Sequence, residues 1–222
     1  MPCVVGMRKK FDPDLIPPRP TLELEQSLWA SGLKYIAGID EAGRGPLAGP
    51  VVAAAVILPA NPAIREGMDG VRDSKQMTPS QREYWAERVQ SLAYKVGIGH
   101  ASSHEIDQLG ILPATYLAMQ RALSELAFTP DALLLDYLVI PDLSIPQTAL
   151  VKGDARSLSI AAASVIAKTT RDAMLCALSR IYPGYGFASH KGYGTPTHLK
   201  ALAQLGPCPI HRLSFRPLKE QG

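Results

Sequence analysis

Two adjacent carboxylates, Asp40 and Glu41, follow an apolar segment and precede the turn Gly43-Arg44-Gly45. Carboxylate oxygens are ligands for hard divalent cations, and exposed backbone N–H groups beside a guanidinium can hold an anion. Glycines permit the turn and let the backbone come close to a ligand. This combination favours metal-assisted chemistry on a phosphodiester, and the alternative is a surface turn with a solvated acidic pair.

Two further aspartates stand where a strand ends or a helix begins. Asp136 ends an apolar run of three leucines, and Asp154 comes 18 residues later, just before a long helical pattern. A hard cation needs several oxygens in one place, and a pair of carboxylates rarely suffices. Taken singly, each aspartate is accounted for by a turn or a helix cap as well as by a ligand role.

The strands that must position these side chains are predicted from hydrophobic runs bounded by turn residues. They are expected at residues 34 to 40, 51 to 58, 93 to 99, 133 to 136 and 149 to 152. In the third strand, Val96 and Ile98 are expected to face inward. Because successive side chains of a strand face opposite sides, Asp40 and Glu41 can share a site only if the chain leaves the strand there.

Capping residues mark where helices begin. Thr78, Pro79 and Gln81 form one capping-box pattern, and Ser102 with Glu105 forms another. Further helices are predicted at residues 111 to 126, at residues 157 to 181 and from Thr195-Pro196 onward. The order of strands and helices favours an α/β fold with helices packed on a mixed sheet.

Length and composition fit one folded domain, alone or with a small appendage. The chain has 222 residues, of which 46% are hydrophobic and 19% charged, so a sizeable core is available. Residues 1 to 20 carry five prolines and few large apolar groups, which predicts a loosely ordered tail. The folded domain is therefore predicted to cover residues 21 to 222.

Charge is distributed unevenly along the chain. The formal net charge is +3, but residues 150 to 222 contain ten Lys or Arg against three acidic residues, a balance of +7 that leaves −4 for the rest. A basic C-terminal third suits a face that binds a polyanion such as nucleic acid. The alternative is a solvated basic surface.

The cysteines and the hydrophobic pattern bear on location. Cys3, Cys176 and Cys208 are odd in number, widely spaced and without a C-x-x-C pair, so they indicate neither a disulfide framework nor a zinc site. The N-terminus lacks a hydrophobic signal segment, and prolines interrupt the long uncharged run from residue 45 to 64. A cytoplasmic protein without a membrane anchor is expected.

The string DEAGRGPLAGPVVAAAVIL at residues 40 to 58 closely resembles the signature of the type 2 ribonucleases H, specifically bacterial ribonuclease HII. The resemblance continues in the same order and spans roughly residues 34 to 216. Its other stretches are RDSK (72 to 75), EID (105 to 107), LLLD (133 to 136), KGDARSLSIAAASVIAKTTRD (152 to 172), YGFASHKGYGT (185 to 195) and HRLSF (211 to 215). The resemblance therefore does not depend on any single short motif.

The resemblance implies a ribonuclease H-like fold. This is an α/β domain with a mixed five-stranded sheet flanked by helices, followed by a small helical C-terminal region at about residues 182 to 222. It also implies that the catalytic and metal-binding residues are Asp40, Glu41, Asp136 and Asp154. Carboxylates without an obligatory histidine or cysteine select Mg²⁺ or Mn²⁺ over zinc. The expected chemistry is two-metal hydrolysis that leaves 3′-hydroxyl and 5′-phosphate ends.

Substrate contacts follow from the same resemblance. Gly43-Arg44-Gly45 is similar to the element whose backbone contacts the ribose 2′-OH and the flanking phosphates, the handle that separates RNA from DNA. Tyr193 resembles the aromatic residue that packs on the following deoxyribose. Lys75 is expected to contact a phosphate.

Three other residues lie close to these motifs. Many relatives have glycine where this chain has Tyr137, and the larger side chain is expected to narrow the site. Lys168 and Arg171 lie about one turn apart on the predicted long helix. They either add positive charge near the nucleic-acid backbone or are plain charges of a helix face.

The implied activity is that of a monomeric endonuclease acting on RNA–DNA hybrids and on duplex DNA that contains ribonucleotides. It would hydrolyse the RNA strand of the hybrids and incise 5′ of single embedded ribonucleotides. One alternative is a catalytically silent nucleic-acid-binding module on the same fold. The four intact carboxylates speak against it, because binding alone gains nothing from negative charge beside phosphates. Another alternative, a different two-metal nuclease, is disfavoured by the GRG and HKGY motifs.

Overall fold

Five strands form one mixed sheet in the computed structural model, which describes residues 16–220. The sheet order is β3-β2-β1-β4-β5, in which β1 pairs antiparallel with β2 and β2 with β3, while β4 runs parallel to both β1 and β5. The predicted α/β fold with a mixed five-stranded sheet is confirmed. The strands are β1 (Ile36–Ala42), β2 (Val51–Ile57), β3 (Lys95–Ala101), β4 (Ala132–Asp136) and β5 (Gln147–Leu150).

Helices flank this sheet, and their starts follow the predicted caps. Thr78, Ser102 and Thr195 each accept a hydrogen bond from a backbone N–H in the first turn of the helix that follows. No helix of the described residues is long and apolar enough to cross a membrane. The helices are α1 (Glu23–Ala30), α2 (Ile64–Gly67), α3 (Pro79–Leu92), α4 (Ser103–Leu109), α5 (Ile111–Ser124), α6 (Leu158–Ile181), α7 (Phe187–His190) and α8 (Pro196–Leu205).

Some boundaries differ from the predicted ones for local reasons. The third strand starts at Lys95 instead of residue 93, because Ala93 caps the end of α3. The fifth strand ends at Leu150 instead of residue 152, because Lys152 has φ +54°, a left-handed conformation in which a strand cannot continue. Helix α5 ends at Ser124, two residues earlier than predicted.

In the third strand, Val96 and Ile98 pack against the apolar cluster on the α6 side, as expected, but the more deeply buried face is the opposite one. Val96 and Ile98 are only half-buried, whereas Gly97 and Gly99 are buried against α5. A Cβ at Gly97 would lie 2.0 Å from the carbonyl oxygen of Ala122, so the absence of side chains lets α5 approach. The face of β3 that packs most tightly is therefore the glycine face. A pattern of hydrophobic residues cannot predict the burial of this face, because glycine has no side chain.

Both faces of the central sheet are covered, by α5 on one side and by α6 on the other. The side chains of β2 alternate between two apolar clusters, with Ala53 and Ala55 on the α5 side and Ala54 and Val56 on the α6 side. Every residue of β2 is buried. This double burial explains why the strand is continuously apolar.

Helix α6 comes close to β1 because Gly38 has no side chain. A Cβ at Gly38 would lie 2.2 Å from the backbone carbonyl carbon of Ser159, a distance that no side chain could occupy. The close approach brings Ser164 and Lys168 of α6 to the carboxyl end of β1.

The chain after α6 folds back onto the segment that follows β1. Ala48 forms an isolated bridge with His211, and the N–H of Leu47 donates to the carbonyl of Gly192 at 2.8 Å. Phe187 is fully buried in the apolar cluster that joins this region to α6. The helical C-terminal region is thus a support for the turn between β1 and β2.

Candidate active site

The carboxyl ends of β1 and β4 lie side by side because the two strands are parallel neighbours. Their pairing ends at Ile39 and Leu135, so the next residues, Asp40 and Asp136, stand at the same edge of the sheet. This edge opens into a cavity of about 570 Å³. The cavity is lined by Asp40, Glu41, Ala42, Gly43, Arg44, Gly45, Ser74, Lys75, Ile111, Asp136, Ser164, Lys168, Tyr193 and Phe215, which include every residue predicted for the site except Asp154.

The expectation that the chain leaves the strand at Asp40 is wrong, because β1 continues to Ala42 and pairs there with β2. Asp40 and Glu41 therefore belong to opposite faces of the sheet. Both still line the cavity because β1 has no β4 partner beyond its paired segment, and the cavity extends around that free edge. Ile111 from the α5 side and Ser164 from the α6 side line the same space.

In each of two carboxylates, one oxygen accepts a hydrogen bond from a backbone N–H group. Oδ1 of Asp40 accepts the N–H of Glu41 at 2.7 Å, and Oδ1 of Asp136 accepts the N–H of Gly153 at 2.7 Å. The second contact ties the end of β4 to the turn that carries Asp154. It explains how an aspartate outside the sheet comes close to the other carboxylates.

Two cations balance part of the negative charge. Arg44 donates to Oε1 of Glu41 at 3.1 Å, and Nζ of Lys75 lies 3.8 Å from Oδ2 of Asp154. The other oxygen of Glu41, Oε2, is buried and has no hydrogen-bond partner within residues 16–220. A buried carboxylate oxygen without a partner is satisfied when a cation binds beside it.

Burial raises the pKa values of all four carboxylates, and repulsion between carboxylates adds to it. Burial raises the pKa of Asp40 well above its ordinary range, and the charges of Glu41, Asp136 and Asp154 raise it further. Burial also raises the pKa values of Glu41 and Asp136. It raises the pKa of Asp154 to about 6, with a further contribution from Asp136. A divalent cation would relieve this repulsion between ionised groups.

The donor atoms fit a hard divalent cation. The negatively charged residues that line the cavity are Asp and Glu, and no histidine or cysteine is among its described lining residues. Oxygen-preferring ions such as Mg²⁺ and Mn²⁺ therefore suit it better than zinc. Within residues 16–220, no three Asp, Glu, His or Cys side chains are arranged as a finished metal site. Arg44 binds one oxygen of Glu41, and the N–H of Gly153 binds one oxygen of Asp136.

A buried arginine of the C-terminal region, Arg212, holds the turn after β1. Its Nη2 donates to the carbonyl of Gly43 at 2.6 Å and its Nη1 donates to the carbonyl of Arg44 at 3.0 Å, while its Nε contacts the carbonyl of Gly49. A trans peptide carries its C=O and N–H on opposite sides, so the N–H groups of Arg44 and Gly45 point away from Arg212. In the described part of the chain neither N–H has a hydrogen-bond partner, and the turn offers both as donors.

Comparison with known proteins identifies the family of this chain. The family described as Ribonuclease HII matches residues 37–217. Ribonuclease HII of Synechococcus sp. (strain JA-3-3Ab) is 55% identical over 202 residues, which cover 91% of this chain and 90% of that protein. The chain belongs to the ribonuclease HII family. The prediction of a type 2 ribonuclease H, an endoribonuclease, is therefore confirmed.

Solved structures support the ribonuclease HII assignment at the level of the fold. The ribonuclease H2 from Pyrococcus horikoshii OT3 has a TM-score of 0.69 and 29% identity, covering 84% of this chain and 96% of that one. Bst-RNase HIII in complex with Mn²⁺ has a TM-score of 0.65 and 22% identity, covering 88% of this chain and 72% of that one. At that identity the second structure shows the shared fold alone.

In this member of the ribonuclease HII family, a second arginine, Arg171 of α6, is fully buried. It donates to the carbonyls of Pro50, Lys191 and Ala48. Gly43 has φ +97°, and a Cβ there would lie 1.9 Å from Nε of Arg171, so the turn accepts only glycine at this position. Arg171 is thus a structural link between the turn after β1 and the loop before Tyr193, and not a charge of an exposed helix face.

The two recognition elements expected in ribonuclease HII lie next to each other. A Cβ at Gly45 would be 4.0 Å from the ring of Tyr193, and that ring is 45% exposed at the edge of the cavity. Nζ of Lys168 lies 6.0 Å from the centre of the same ring and forms an ion pair with Asp172 at 2.7 Å. Lys168 is therefore both a cavity residue and a partly neutralised cation.

Tyr137 does not narrow the carboxylate cavity. Its side chain is 68% exposed and is absent from the described lining of the cavity. Its backbone has φ +64°, a left-handed conformation that glycine adopts without strain. Glycine would adopt this backbone conformation without strain, whereas tyrosine adopts it at the cost of local strain.

The sequence did not predict the two buried arginines as supports of the ribonuclease HII site. Arg212 lies in the HRLSF stretch that contributed to the resemblance, but nothing in that stretch indicates burial. Its carbonyl partner Gly43 is 169 positions away, and Pro50, a partner of Arg171, is 121 positions away. The only available signal was the presence of both arginines in motifs shared with the family.

Proposed function

We propose that this protein is an Mg²⁺- or Mn²⁺-dependent endonuclease that cuts the RNA strand of RNA–DNA hybrids and incises 5′ of single ribonucleotides embedded in duplex DNA. The observation that carries the proposal is one cavity lined by Asp40, Asp136 and the turn whose Arg44 and Gly45 N–H groups are free. Carboxylates supply oxygen ligands for cations, and the N–H groups supply donors for a phosphate or a hydroxyl. Their combination suits cleavage of a phosphodiester beside a ribose.

The carboxylates Asp40, Glu41, Asp136 and Asp154 are the proposed metal-binding and catalytic residues. Divalent cations, when bound there, lower the pKa of an attacking water and stabilise the leaving 3′-oxygen. The proposal of Mg²⁺ or Mn²⁺ rests on the all-carboxylate donor set and on the Mn²⁺ complex of the structurally similar Bst-RNase HIII.

Lys75 is the proposed phosphate contact. Burial by itself lowers the pKa of Lys75, but the charges of Asp73 and Asp154 outweigh it, so the pKa lies above its ordinary value. The ammonium group is therefore charged at neutral pH. It lines the cavity beside the carboxylates, where a phosphate of the cleaved strand would carry the complementary charge.

The turn provides the proposed recognition of ribose. A 2′-OH presents an oxygen that the N–H groups of Arg44 and Gly45 can bind, whereas a deoxyribose leaves these donors without a partner at a partly desolvated surface. The ring of Tyr193 is proposed to pack on the next sugar, where a deoxyribose presents an apolar surface. The 2′-OH is recognised and is not the nucleophile, so the products carry 3′-hydroxyl and 5′-phosphate ends.

We also propose that the enzyme acts as a monomer. One chain supplies all the residues proposed for the site, so the proposed chemistry needs no residue from a second copy. Residues 21 to 222 are the proposed catalytic domain and residues 1 to 20 a tail, most of which lies outside the described residues.

The test is a cleavage assay on two duplexes that differ by one hydroxyl group. One is duplex DNA with a single ribonucleotide, and the other is the same duplex with a deoxyribonucleotide at that position. We expect purified protein with Mg²⁺ or Mn²⁺ to cut the first and not the second, and chelation of the metal to abolish cleavage. Equal cleavage of both duplexes, or cleavage in excess chelator, would refute the proposal.

A further inference from the structure

Three histidines, His190, His198 and His211, lie behind the loop that carries Tyr193. The rings of His190 and His198 stack with centroids 4.4 Å apart, and Nε2 of His198 lies 3.0 Å from Nε2 of His211. His198 is 0% exposed and His211 is 2% exposed. None of the three is among the described residues that line the carboxylate cavity, so they can influence the reaction only through other groups.

The hydrogen-bond partners determine where the protons of this pair lie. Nδ1 of His198 lies 2.9 Å from the carbonyl oxygen of Tyr193, which can only accept, so Nδ1 carries the proton. In a neutral ring Nε2 then accepts, and the proton in the contact with His211 belongs to His211 Nε2. His211 Nδ1 must accept in turn, and the N–H of Cys208 donates to it at 2.9 Å. The result is a chain of three hydrogen bonds, called the relay below, in which each donor points from the N–H of Cys208 toward the carbonyl of Tyr193.

The opposite direction of the relay is disfavoured. His211 Nδ1 also lies 3.2 Å from the carbonyl of Cys208, but the N–H of Cys208 is closer, at 2.9 Å, and would face a second donor if Nδ1 carried the proton. Reversal between neutral rings would place a lone pair of His198 against the Tyr193 carbonyl. Burial favours neutral rings, because it lowers the pKa of His198 and lowers that of His211 to about 4.

The relay acts on the backbone of the loop and not on the Tyr193 ring. The carbonyl of Tyr193 accepts both His198 Nδ1–H and the N–H of Thr195, and the N–H of Gly192 donates to Nδ1 of His190 at 3.2 Å. The ring itself is 45% exposed. Its position relative to the cavity is therefore set mainly by its backbone, which the imidazoles hold from behind.

We infer that His198 and His211 are positioning residues that hold Tyr193 where its ring meets the sugar after the ribonucleotide. The inference deepens the proposed function and rests on it, because it assigns the junction preference to a relay that touches no substrate. Removal of the relay would leave the carboxylates and the turn after β1 in place. It would therefore weaken discrimination between substrates more than the hydrolysis itself.

Two matched pairs of variants separate the hydrogen bonds from the packing. His198→Asn keeps an amide N–H near the place of Nδ1, and His198→Leu removes it. His211→Gln keeps an amide N–H near the place of Nε2, and His211→Leu removes it. Asn and Leu branch alike at Cγ, and Gln is only one atom longer than Leu, so the main difference within each pair is the donor.

The measurement is kcat/KM for duplex DNA with a single ribonucleotide and for a uniform RNA–DNA hybrid, at one pH and one salt concentration. Only the first substrate presents a deoxyribose to Tyr193. We expect both leucine variants to lower the ratio of the two values about tenfold, the factor that the loss of one buried hydrogen bond produces. The His198→Asn and His211→Gln variants should keep a ratio close to that of the wild type.

Tyr193→Ala distinguishes failure of the inference from failure of the function on which it rests. If Tyr193→Ala leaves the ratio unchanged, the junction role of Tyr193 is wrong, and the inference falls with it. If Tyr193→Ala lowers the ratio but the leucine variants reduce both activities equally, the histidines support only the fold. The same conclusion follows if the Asn and Gln variants behave like the leucine variants.

A measurement on the unmodified protein covers the case in which a leucine variant does not fold. Nitrogen-15 chemical shifts of the imidazoles report which ring nitrogen carries the proton. At neutral pH we expect the Nδ1–H form of His198 and the Nε2–H form of His211. The reverse assignment, or a charged ring in either residue, would overturn the relay.

Discussion

The guanidinium of Arg212 donates to the carbonyl of Gly43 at 2.6 Å, across 169 positions of the chain. Through this contact the last described segment of the C-terminal region fixes a peptide group at the mouth of the carboxylate cavity. The donors that face the substrate in the proposed function are therefore oriented by a residue that lies behind the turn. In each of these peptide groups, the C=O binds Arg212 and the N–H on the opposite side is the proposed donor to the substrate.

Replacement of Arg212 by lysine is expected to impair cleavage and folding together. An ammonium group cannot reproduce the several N–H donors that Arg212 directs to carbonyls of Gly43, Arg44 and Gly49. We predict at least a tenfold loss of kcat/KM on a single-ribonucleotide duplex and a loss of about 2 kcal/mol in the free energy of unfolding. Arg180→Lys, at an exposed position of α6, is the matched control and should change neither quantity. A fully active Arg212→Lys enzyme would contradict the role given to this contact.

Neutral isosteres of the carboxylates are predicted to separate activity from stability. Asp40→Asn, Glu41→Gln and Asp136→Asn should each abolish cleavage with little loss of stability, because less repulsion among clustered carboxylates offsets the lost contacts. Turnover at saturating Mg²⁺ and chemical denaturation without metal give the two quantities. Asp69→Asn, which removes a surface ion pair with Arg19, is the control and should leave turnover unchanged. Near-normal turnover in any of the first three would remove that residue from the site.

The pH dependence of stability should report the environment of Asp154. Its pKa rises from 3.8 to about 6 on folding, so the folded protein binds the proton more tightly and ionised Asp154 is destabilising. The loss of folding stability caused by ionised Asp154 is largest above pH 6, decreases as the pH falls through 6 and is absent below about 4. Without metal, Asp154→Asn should therefore exceed the wild type in stability by about 1 to 2 kcal/mol at pH 8, after allowance for solvent screening, and by about half as much at pH 5.

The measurement for Asp154 is denaturant unfolding of both proteins in chelator at pH 8 and pH 5. The difference between the two proteins isolates this group from others that titrate in the same range, such as His211. A difference that does not change with pH would show that Asp154 is not destabilised by ionisation in the folded state.

Tyr193→Ala should affect cleavage more than non-specific binding. The half-exposed ring is proposed to contact a sugar, whereas binding of plain duplex DNA depends on salt-sensitive phosphate contacts. At one fixed salt concentration, we expect cleavage at a single ribonucleotide to fall about tenfold while the Kd for plain duplex DNA changes by less than about twofold. Tyr84→Ala, an exposed tyrosine on α3, serves as the control. Equal losses in both quantities would make Tyr193 a structural residue.

The parts of the fold that depend on local chemistry could be predicted from the sequence. Thr78 and Ser102 cap α3 and α4 because their side chains accept N–H groups three residues later, which is visible as a spacing. Asp136 could be placed at the carboxyl end of a strand because it ends an apolar run. Strand ends could not be predicted where the backbone conformation determines them, as at the end of β5, where Lys152 has a positive φ.

The parts of the site that depend on distant contacts could not be predicted. Burial of Arg171 and Arg212 requires carbonyls from segments more than 120 positions away, and arginine is rarely buried, so neither pattern nor propensity marks it. The shared cavity of Asp40 and Glu41 depends on where β4 ends, which fixes how far the edge of β1 is free. A local turn was the wrong explanation for a feature that the neighbouring strand determines.

The ends of the products from a single-ribonucleotide duplex test the central claim most directly. Duplex DNA with one ribonucleotide is cleaved in Mg²⁺, and mass spectrometry identifies both fragments. The account predicts a cut on the 5′ side of the ribonucleotide, with a 3′-hydroxyl on one fragment and a 5′-phosphorylated ribonucleotide on the other, because the carboxylate site activates water and the 2′-OH is only recognised. A cut on the 3′ side that leaves a 2′,3′-cyclic phosphate would contradict it, since the 2′-OH would then be the nucleophile.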